Sequence, residues 1–325
     1  MRAVWYERGG PAAEVLQTGT MDVPEPGAGE VRVRIAWSAV NPHDVKKRID
    51  GRETGTWGRI VPHSDGSGAI DQVGVGVPAQ RIGEQVWLFG AQVGQANGTC
   101  AEYCVVPAWK AVRLPEQVSL REGACLGIPA VTAVQALSVS GPLQRKTVLV
   151  QGGAGRVGAY AVQFASQSGA RVTATASKDD CAVVEQLGAE RCFDYSDPEL
   201  VTMLLDARGK HGFDLIVESR FGSHAELDAR VVSRNGVIAA YGFDDDRSPA
   251  IPATLLVMKN AACHFIGIFA LGRKIQETVL ERVCQLIGQH RLQYRVGLQV
   301  ELADTATAHQ RIEAGRVPGA ALIQI

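Results

Sequence analysis

Apolar and polar residues alternate from Val31 to Trp37. Val31, Val33, Ile35 and Trp37 fall on one side of the chain, Arg32 and Arg34 on the other. A period of two predicts a strand with one buried and one wet face. GAIDQVGVGV (68–77), RIGEQVWLFG (81–90) and AEYCVVP (101–107) follow as short strands broken by glycines. The first ~115 residues therefore read as a twisted, mostly antiparallel β-structure. After Glu122 the period changes. Apolar residues recur at helical intervals through GACLGIPAVTAVQALSVS (123–140).

From Lys146 onward strands and helices alternate. The strand candidates are TVLVQ (147–151), RVTATAS (171–177), RCFDY (191–195), FDLIVES (213–219), GVIAAYG (236–242) and HFIGIF (264–269). One helix is expected to start at SDPEL, with Ser196 or Asp197 as its cap and Pro198 in its first turn. A repeated strand–helix unit predicts a doubly wound parallel sheet with right-handed crossovers. The tail from about Lys274 breaks this alternation. It holds an amphipathic helix (ETVLERVCQLIG), a strand, a second helix (TATAHQRIEAG) and a last apolar strand, AALIQI. It is expected to return to the first domain. The division expected is 1–121 with 274–325 as one domain and 122–273 as the other.

The stretch VLVQGGAGRVGAYAVQ (148–163) joins the first strand of the second domain to a helix. Its glycines stand as Gly152-x-x-Gly155-x-x-Gly158, and RVTATAS closes the unit within about 30 residues. In such a loop Gly152 and Gly155 allow a tight turn and a close approach to a pyrophosphate. Gly158 lets helix and strand pack, and the helix N-terminus turns its free N–H groups toward the anion. The end of the second strand selects the nucleotide. A carboxylate there holds a ribose 2′-hydroxyl. Here Ser177 and Lys178 take that place, a hydroxyl and an ammonium that suit a 2′-phosphate, so the cofactor expected is NADPH. Asp179 and Asp180 read as the first turn of the following helix, where negative charge is favoured.

Composition narrows the field. The chain has 325 residues, 46% hydrophobic and 21% charged, with a formal net charge of −1. Such a balance gives no electrostatic reason to expect nucleic acid or an anionic membrane as partner. MRAVWYERGG has no signal-peptide core, and no apolar run has the length of a membrane span, so a cytoplasmic location is expected. The seven cysteines show no disulfide-scaffold spacing. Cys100 and Cys104 would lie about 13 Å apart on one strand face, too far to clamp one metal, and read as small buried hydrophobes.

The segments VNPHDVKKR (40–48), PHSDGSGAI (62–70), GTCAEYCVVP (98–107), LGIPAVTAVQAL (126–137), QGGAGRVG (151–158) and LGAERCFDY (187–195) carry a likeness across nearly the whole chain. It resembles the zinc-independent quinone oxidoreductases, the zeta-crystallin-like branch of the medium-chain dehydrogenase/reductases. The resemblance implies an α/β protein: a GroES-like β-rich catalytic domain, a Rossmann domain, a cleft between them, and a homodimer or homotetramer. It places Asn41, Pro129 and Thr132 near the nicotinamide. Gly152, Gly153, Ala154, Gly155, Arg156, Val157 and Gly158 would lie at the pyrophosphate, and Gly242 on the rim where the cofactor crosses the strand ends. It sets Ser177, Lys178 and Tyr195 at the 2′-phosphate, although Tyr195 reads equally as a core aromatic.

Zinc-dependent relatives place a cysteine near the position of Asn41 and a His-Glu pair near Ser64-Asp65. Asn and Ser are poor zinc ligands and a lone Asp makes no site. No thiolate accompanies His63, so a metal-free enzyme is expected. Without a Lewis acid, the chemistry left is hydride transfer from NADPH to an acceptor already electrophilic, a quinone or an enone. Asn41, Lys46 and His43 are the candidate proton donors or oxyanion partners, with Asn41 and Lys46 preferred and His43 read rather as structural or surface. Lys46, Arg52 and Trp57 stand where relatives often carry tyrosines; they either make the substrate mouth cationic or are solvated surface. Two alternatives stay open: an enone, alkenal or trans-acting enoyl reductase on the same scaffold, and a crystallin-like or RNA-associated NADPH-binding protein with little turnover.

Overall fold

A computed structural model describes every residue except 52, 209–210, 244–247 and 290–291. Arg52 therefore lies outside the described residues. The chain divides into two compact units, 1–128 with 294–325, and 129–293. In chain order the first unit carries β1 (Arg2–Trp5), β2 (Gln17–Thr20), β3 (Glu30–Val40), β4 (Asp65–Val73), β5 (Gln85–Leu88), β6 (Tyr103–Pro107) and β7 (Ala111–Arg113). The second carries β8 (Thr147–Val150), β9 (Arg171–Ala176), β10 (Arg191–Asp194), β11 (Phe213–Glu218), β12 (Val232–Ala240) and β13 (Ala262–Phe265). The chain then re-enters the first unit with β14 (Val296–Glu301) and β15 (Ala320–Gln324).

The expected antiparallel structure is present in the first unit. Its main sheet runs β14-β15-β3-β4-β5-β7, with β6 on β3. The alternation in β3 does the predicted work. Val31, Val33 and Ile35 are buried with Ile70, Val86, Leu88, Cys104 and Val106, while Arg34 is exposed. Cys100 and Cys104 are both fully buried, as small hydrophobes would be. The final apolar strand β15 pairs with β3, which ties the C-terminus into this sheet.

The second unit is a parallel sheet of order β10-β9-β8-β11-β12-β13. This is the doubly wound Rossmann order, whose reversal lies between β8 and β11. Parallel strands put their carboxyl ends on one edge, so the residues after β8, β9, β10, β11 and β12 share it. The strands read as near-continuous apolar runs because both faces are covered. Val148, Leu149, Val150, Leu215, Ile216 and Val217 are all inaccessible.

Several boundaries differ from expectation. The first unit runs on to Ile128 rather than 121, where the Ile128 amide bonds Asp65 in β4, and the last parallel strand is Ala262–Phe265 rather than 264–269. The helix Arg273–Gln289 belongs to the second unit, so that unit continues past 274. Val279, Leu280, Val283, Leu286 and Ile287 are buried on its apolar face. The helix expected at SDPEL begins only at Leu200. The Asp194 carboxylate accepts from Ser196 N and Oγ, and Asp197 Oδ1 accepts from Glu199 N. These short side chains close turns of their own and delay the helix. Among the described residues no helix is long and apolar enough to cross a membrane.

Candidate active site

In the second unit, β8 ends at Val150 and the chain turns through Gln151 to Gly155 before the helix Arg156–Gln167. The glycines have different reasons. Gly152 has φ +69°, the left-handed region that favours glycine. A Cβ on Gly153 would fall 2.9 Å from both Ala174 and Val184. A Cβ on Gly158 would fall 2.1 Å from Gly152 O, so the helix packs onto the loop itself. Gly155 is the helix N-cap with ordinary dihedrals, φ −71° and ψ 170°. A Cβ there would meet only Gly152 O, at 3.1 Å. Its missing side chain therefore leaves space before the first amides of the helix. That space, with a helix N-terminus behind it, fits a dinucleotide diphosphate.

A buried polar chain holds this loop. Gly152 N donates to Thr175 Oγ1 (3.2 Å), and Gly153 N to Thr175 O (2.7 Å). Thr175 Oγ1 donates to Gln151 Oε1 (2.6 Å), and Gln151 Nε2 donates to Asp228 Oδ1 (3.3 Å). Burial, then the neighbouring Glu218 carboxylate, push the Asp228 carboxyl well up. Glu218 is itself fully buried and pairs with His224 Nδ1 at 3.1 Å. None of Gln151, Thr175, Glu218 or Asp228 stands out in the sequence, because their only signal is proximity in space.

Ser177, Lys178 and Tyr195 come together on the carboxyl edge of the sheet. Tyr195 N donates to Ala176 O, the residue before Ser177. Tyr195 is 55% exposed, so it is not a core aromatic, and Lys178 is exposed. The structure adds Asp180. Its carboxylate accepts the Ser177 hydroxyl at 2.8 Å, and Asp180 stands at the N-cap position of the helix Cys181–Gln186 without a side-chain capping bond. Gly242 faces Ser219, whose carbonyl would lie 2.0 Å from a Cβ, so backbone packing explains that glycine. Pro129 and Thr132 lie buried in the helix Gly127–Ser138.

In the first unit the polar centre is Asp65, at the start of β4 and fully buried. Its Oδ2 accepts from Asn41 Nδ2 (2.8 Å) and from Ile128 N (2.7 Å). Burial above all, with the nearby Asp44 charge second, raises the Asp65 carboxyl to about 8. Asn41 is held from its other side, where Asp44 Oδ2 accepts its backbone N–H (2.8 Å) at the head of the helix Pro42–Asp50. On that helix Lys46 and His43 are exposed, while Lys47 pairs with Glu53 at 2.8 Å. Trp57 is 46% exposed.

A hydrogen-bond chain supports Asp65 from behind, and proton counting fixes its direction. Thr99 Oγ1 donates to Asp65 O (2.6 Å), so Ser38, 2.7 Å away, must donate to Thr99. The Ser38 hydroxyl has no second proton. It therefore accepts from His63 Nδ1 (2.8 Å). Burial lowers His63 to about 4, so the ring is neutral and its Nε2 is bare. His309 Nε2 then donates to it across 2.9 Å.

These donors do not fit zinc. Both His63 nitrogens are engaged, Asn41 offers a carboxamide, and Asp65 is bonded to Asn41 and Ile128. Among the described residues no three His, Cys, Asp or Glu are placed to hold a metal.

Two family models match the chain, the alcohol dehydrogenase GroES-like domain over 27–116 and the zinc-binding dehydrogenase over 157–285. The chain is 32% identical to rat quinone oxidoreductase over 250 residues, which cover 74% of this chain and 73% of the relative. It is 30% identical to a trans-enoyl reductase of Aspergillus terreus over 225 residues, 65% of this chain and 73% of that protein. The chain belongs to the quinone oxidoreductase branch of the medium-chain dehydrogenase/reductases. A mycobacterial structure complexed with NADPH superposes with TM-score 0.86 at 24% identity, over 100% of both chains, a likeness of fold. The β-rich unit is thus the GroES-like domain and the parallel unit the Rossmann domain.

The steric difference between two glycines is testable. Gly158→Ala should cost on the order of 1–3 kcal/mol in denaturant unfolding, because the added methyl meets backbone. Gly155→Ala should stay within about 0.5 kcal/mol of wild type. Equal losses would mean that the loop is packed differently.

Asp65 gives a pH dependence with a definite sign. A carboxyl whose pKa rises on folding binds its proton more tightly in the folded chain. Its stabilising contribution is full below the unfolded value near 3.8 and is lost as pH rises toward about 8. Asp65→Asn has no such proton. Its stability relative to wild type should therefore increase from pH 5 to pH 8, read by urea unfolding across that range. A constant difference would show that Asp65 ionises normally.

Proposed function

We propose that this protein is a metal-independent oxidoreductase that reduces small quinones with NADPH. The observation that carries this is the Asn41–Asp65 pair. Where zinc-dependent relatives need thiolate and imidazole ligands, this chain has a carboxamide bonded to a buried acid. The bound cofactor supplies the hydride. The chain's own residues bind and orient. The N-terminus of the helix Arg156–Gln167 faces the diphosphate, and Ser177, Lys178 and Tyr195 receive the 2′-phosphate end. Asn41 orients the nicotinamide or the acceptor oxygen, and Pro129 and Thr132 pack beside the ring. Lys46, exposed on its helix, is a weaker candidate for contact with the acceptor oxygen. Kinship with a trans-enoyl reductase supports conjugated enones as second acceptors.

Cofactor choice rests on Ser177 and the acid beside it. Ser177→Asp should move preference toward NADH. Asp180→Asn should tighten NADPH at least threefold, since the 2′-phosphate must otherwise displace a carboxylate from Ser177. Titration of both cofactors by fluorescence checks this, and tighter NADH than NADPH binding by wild type would overturn it.

With no metal ligand set among the described residues to polarise a carbonyl, rate should follow the electrophilicity of the acceptor. Small quinones should be reduced fast, conjugated enones more slowly and saturated ketones negligibly, with no loss after dialysis against a strong chelator. A saturated ketone turned over as fast as benzoquinone, or activity lost on chelation and restored by zinc, would refute the reading.

A homodimer through the edge of the Rossmann sheet is part of the proposal. β13 ends the strand order; Phe265 on it is 54% exposed, and Val257 and Met258, on the helix Ala253–Lys259 that precedes it in the chain, are 78% and 66% exposed. A free strand edge with apolar side chains favours pairing with a like edge. Light scattering should give twice the 34.6 kDa chain mass, and Phe265→Glu with Met258→Glu should give the monomer. A wild-type monomer at micromolar concentration would exclude it.

A further inference from the structure

Asp65 is more deeply placed than its neighbours require. It is fully buried, and one oxygen takes two donors from distant parts of the chain, the Asn41 carboxamide and the Ile128 amide. Its seat depends on a missing side chain, because a Cβ on Gly127 would lie 2.0 Å from Asp65 Cγ. From behind, the one-way chain of His309, His63, Ser38 and Thr99 ends on its own carbonyl. Asp65 is thus fixed at its side chain and at its backbone.

We propose that Asp65 is a positioning residue that sets the orientation of the Asn41 carboxamide. The inference rests on the reading of Asn41 given above. An Asn side chain presents an NH2 group and a carbonyl at nearly equal cost, and only its partners decide which points where. By accepting from Nδ2, Asp65 selects one of the two flips. The Asn41 carbonyl and its second N–H are then left in a defined place. An oxygen that accepts two N–H bonds is the carbonyl oxygen of a protonated acid or either oxygen of a carboxylate, so the selection holds in both protonation states.

The test is a double-mutant cycle between Asp65 and Asn41, with NADPH and benzoquinone as the probes. Asp65→Ala should lower kcat about ten- to a hundredfold and leave NADPH affinity within threefold. Asp65→Asn should restore kcat to within about threefold of wild type, since its own carbonyl can accept both bonds. In an Asn41→Ala background, Asp65→Ala should cost less than a further twofold, because nothing is left to orient. Unfolding midpoints and far-ultraviolet circular dichroism are taken for each variant. If Asp65→Ala fails to fold, Asp65→Ser and Asp65→Asn complete the cycle.

Independent, additive losses in kcat would overturn the proposal and leave Asp65 as a support for the helix Gly127–Ser138. Failure of Asp65→Asn to restore turnover while folding normally would also overturn it. Full turnover by Asn41→Ala would instead refute the role given to Asn41 and the Asp65 proposal with it. The two failures are therefore distinguishable.

Discussion

A carboxyl group taken out of water must find donors or keep its proton, and this constraint organises both units. In the GroES-like domain the group is Asp65, and its donors come from the head of one helix and the start of another. In the Rossmann domain it is Asp228, which meets Gln151 under the glycine loop. Asp65 holds the Asn41 carboxamide directly, and Asp228 reaches the Gly152 amide through the side chains of Gln151 and Thr175. In each acid one oxygen carries the hydrogen bonds, Oδ2 of Asp65 and Oδ1 of Asp228, and that one-sided pattern decides which neighbour the group holds.

The glycine loop shows how several physical reasons converge in one motif. Gly152 is there for its dihedral angle. Gly153 and Gly158 are there because a methyl would strike neighbouring atoms. Gly155 is the least crowded of the four, with only the Gly152 carbonyl within reach of an added Cβ, at 3.1 Å. A pattern of small residues thus contains three positions that make the turn and one that leaves room for a ligand. The cofactor-holding capacity of the domain follows from that division, together with the amides that a helix N-terminus leaves without internal partners.

The chemistry assigned to this chain is spare because its donors are already committed. His63 is neutral, buried and bonded through both nitrogens. Asp44 is committed to the Asn41 backbone. The groups left near the Asn41 helix are a carboxamide and surface cations. On the proposed reading such a set would orient a reactive cofactor and an activated acceptor without polarising an inert one. Ser177 and Asp180 show the same economy in the Rossmann domain: one hydroxyl serves as partner to an acid.

Local pattern was enough to determine much of this protein. The period of two in β3, the apolar runs of the parallel strands and the glycine spacing after β8 depend on residues close in sequence, and each element formed, although β12 and β13 begin earlier than their apolar runs suggest and β13 ends at Phe265. Ser177, Lys178 and Tyr195 follow directly on strand ends that share one edge; the strand pattern alone pointed to Ser177 and Lys178, whereas Tyr195 entered through the family resemblance. Tertiary structure decided the rest. Asp65 looked like a residue unable to make a site, and its importance comes from Asn41, 24 positions away, and Ile128, 63 positions away. Asp180 read as a helix-turn acid until its distance to Ser177 was set by the turn between them. The delayed helix after Ser196 and the continuation of the Rossmann unit past 274 arose from side-chain turns and from burial of one helix face. Hydrogen bonds and packing between distant segments leave no periodic trace along the chain, so only the folded molecule reveals them.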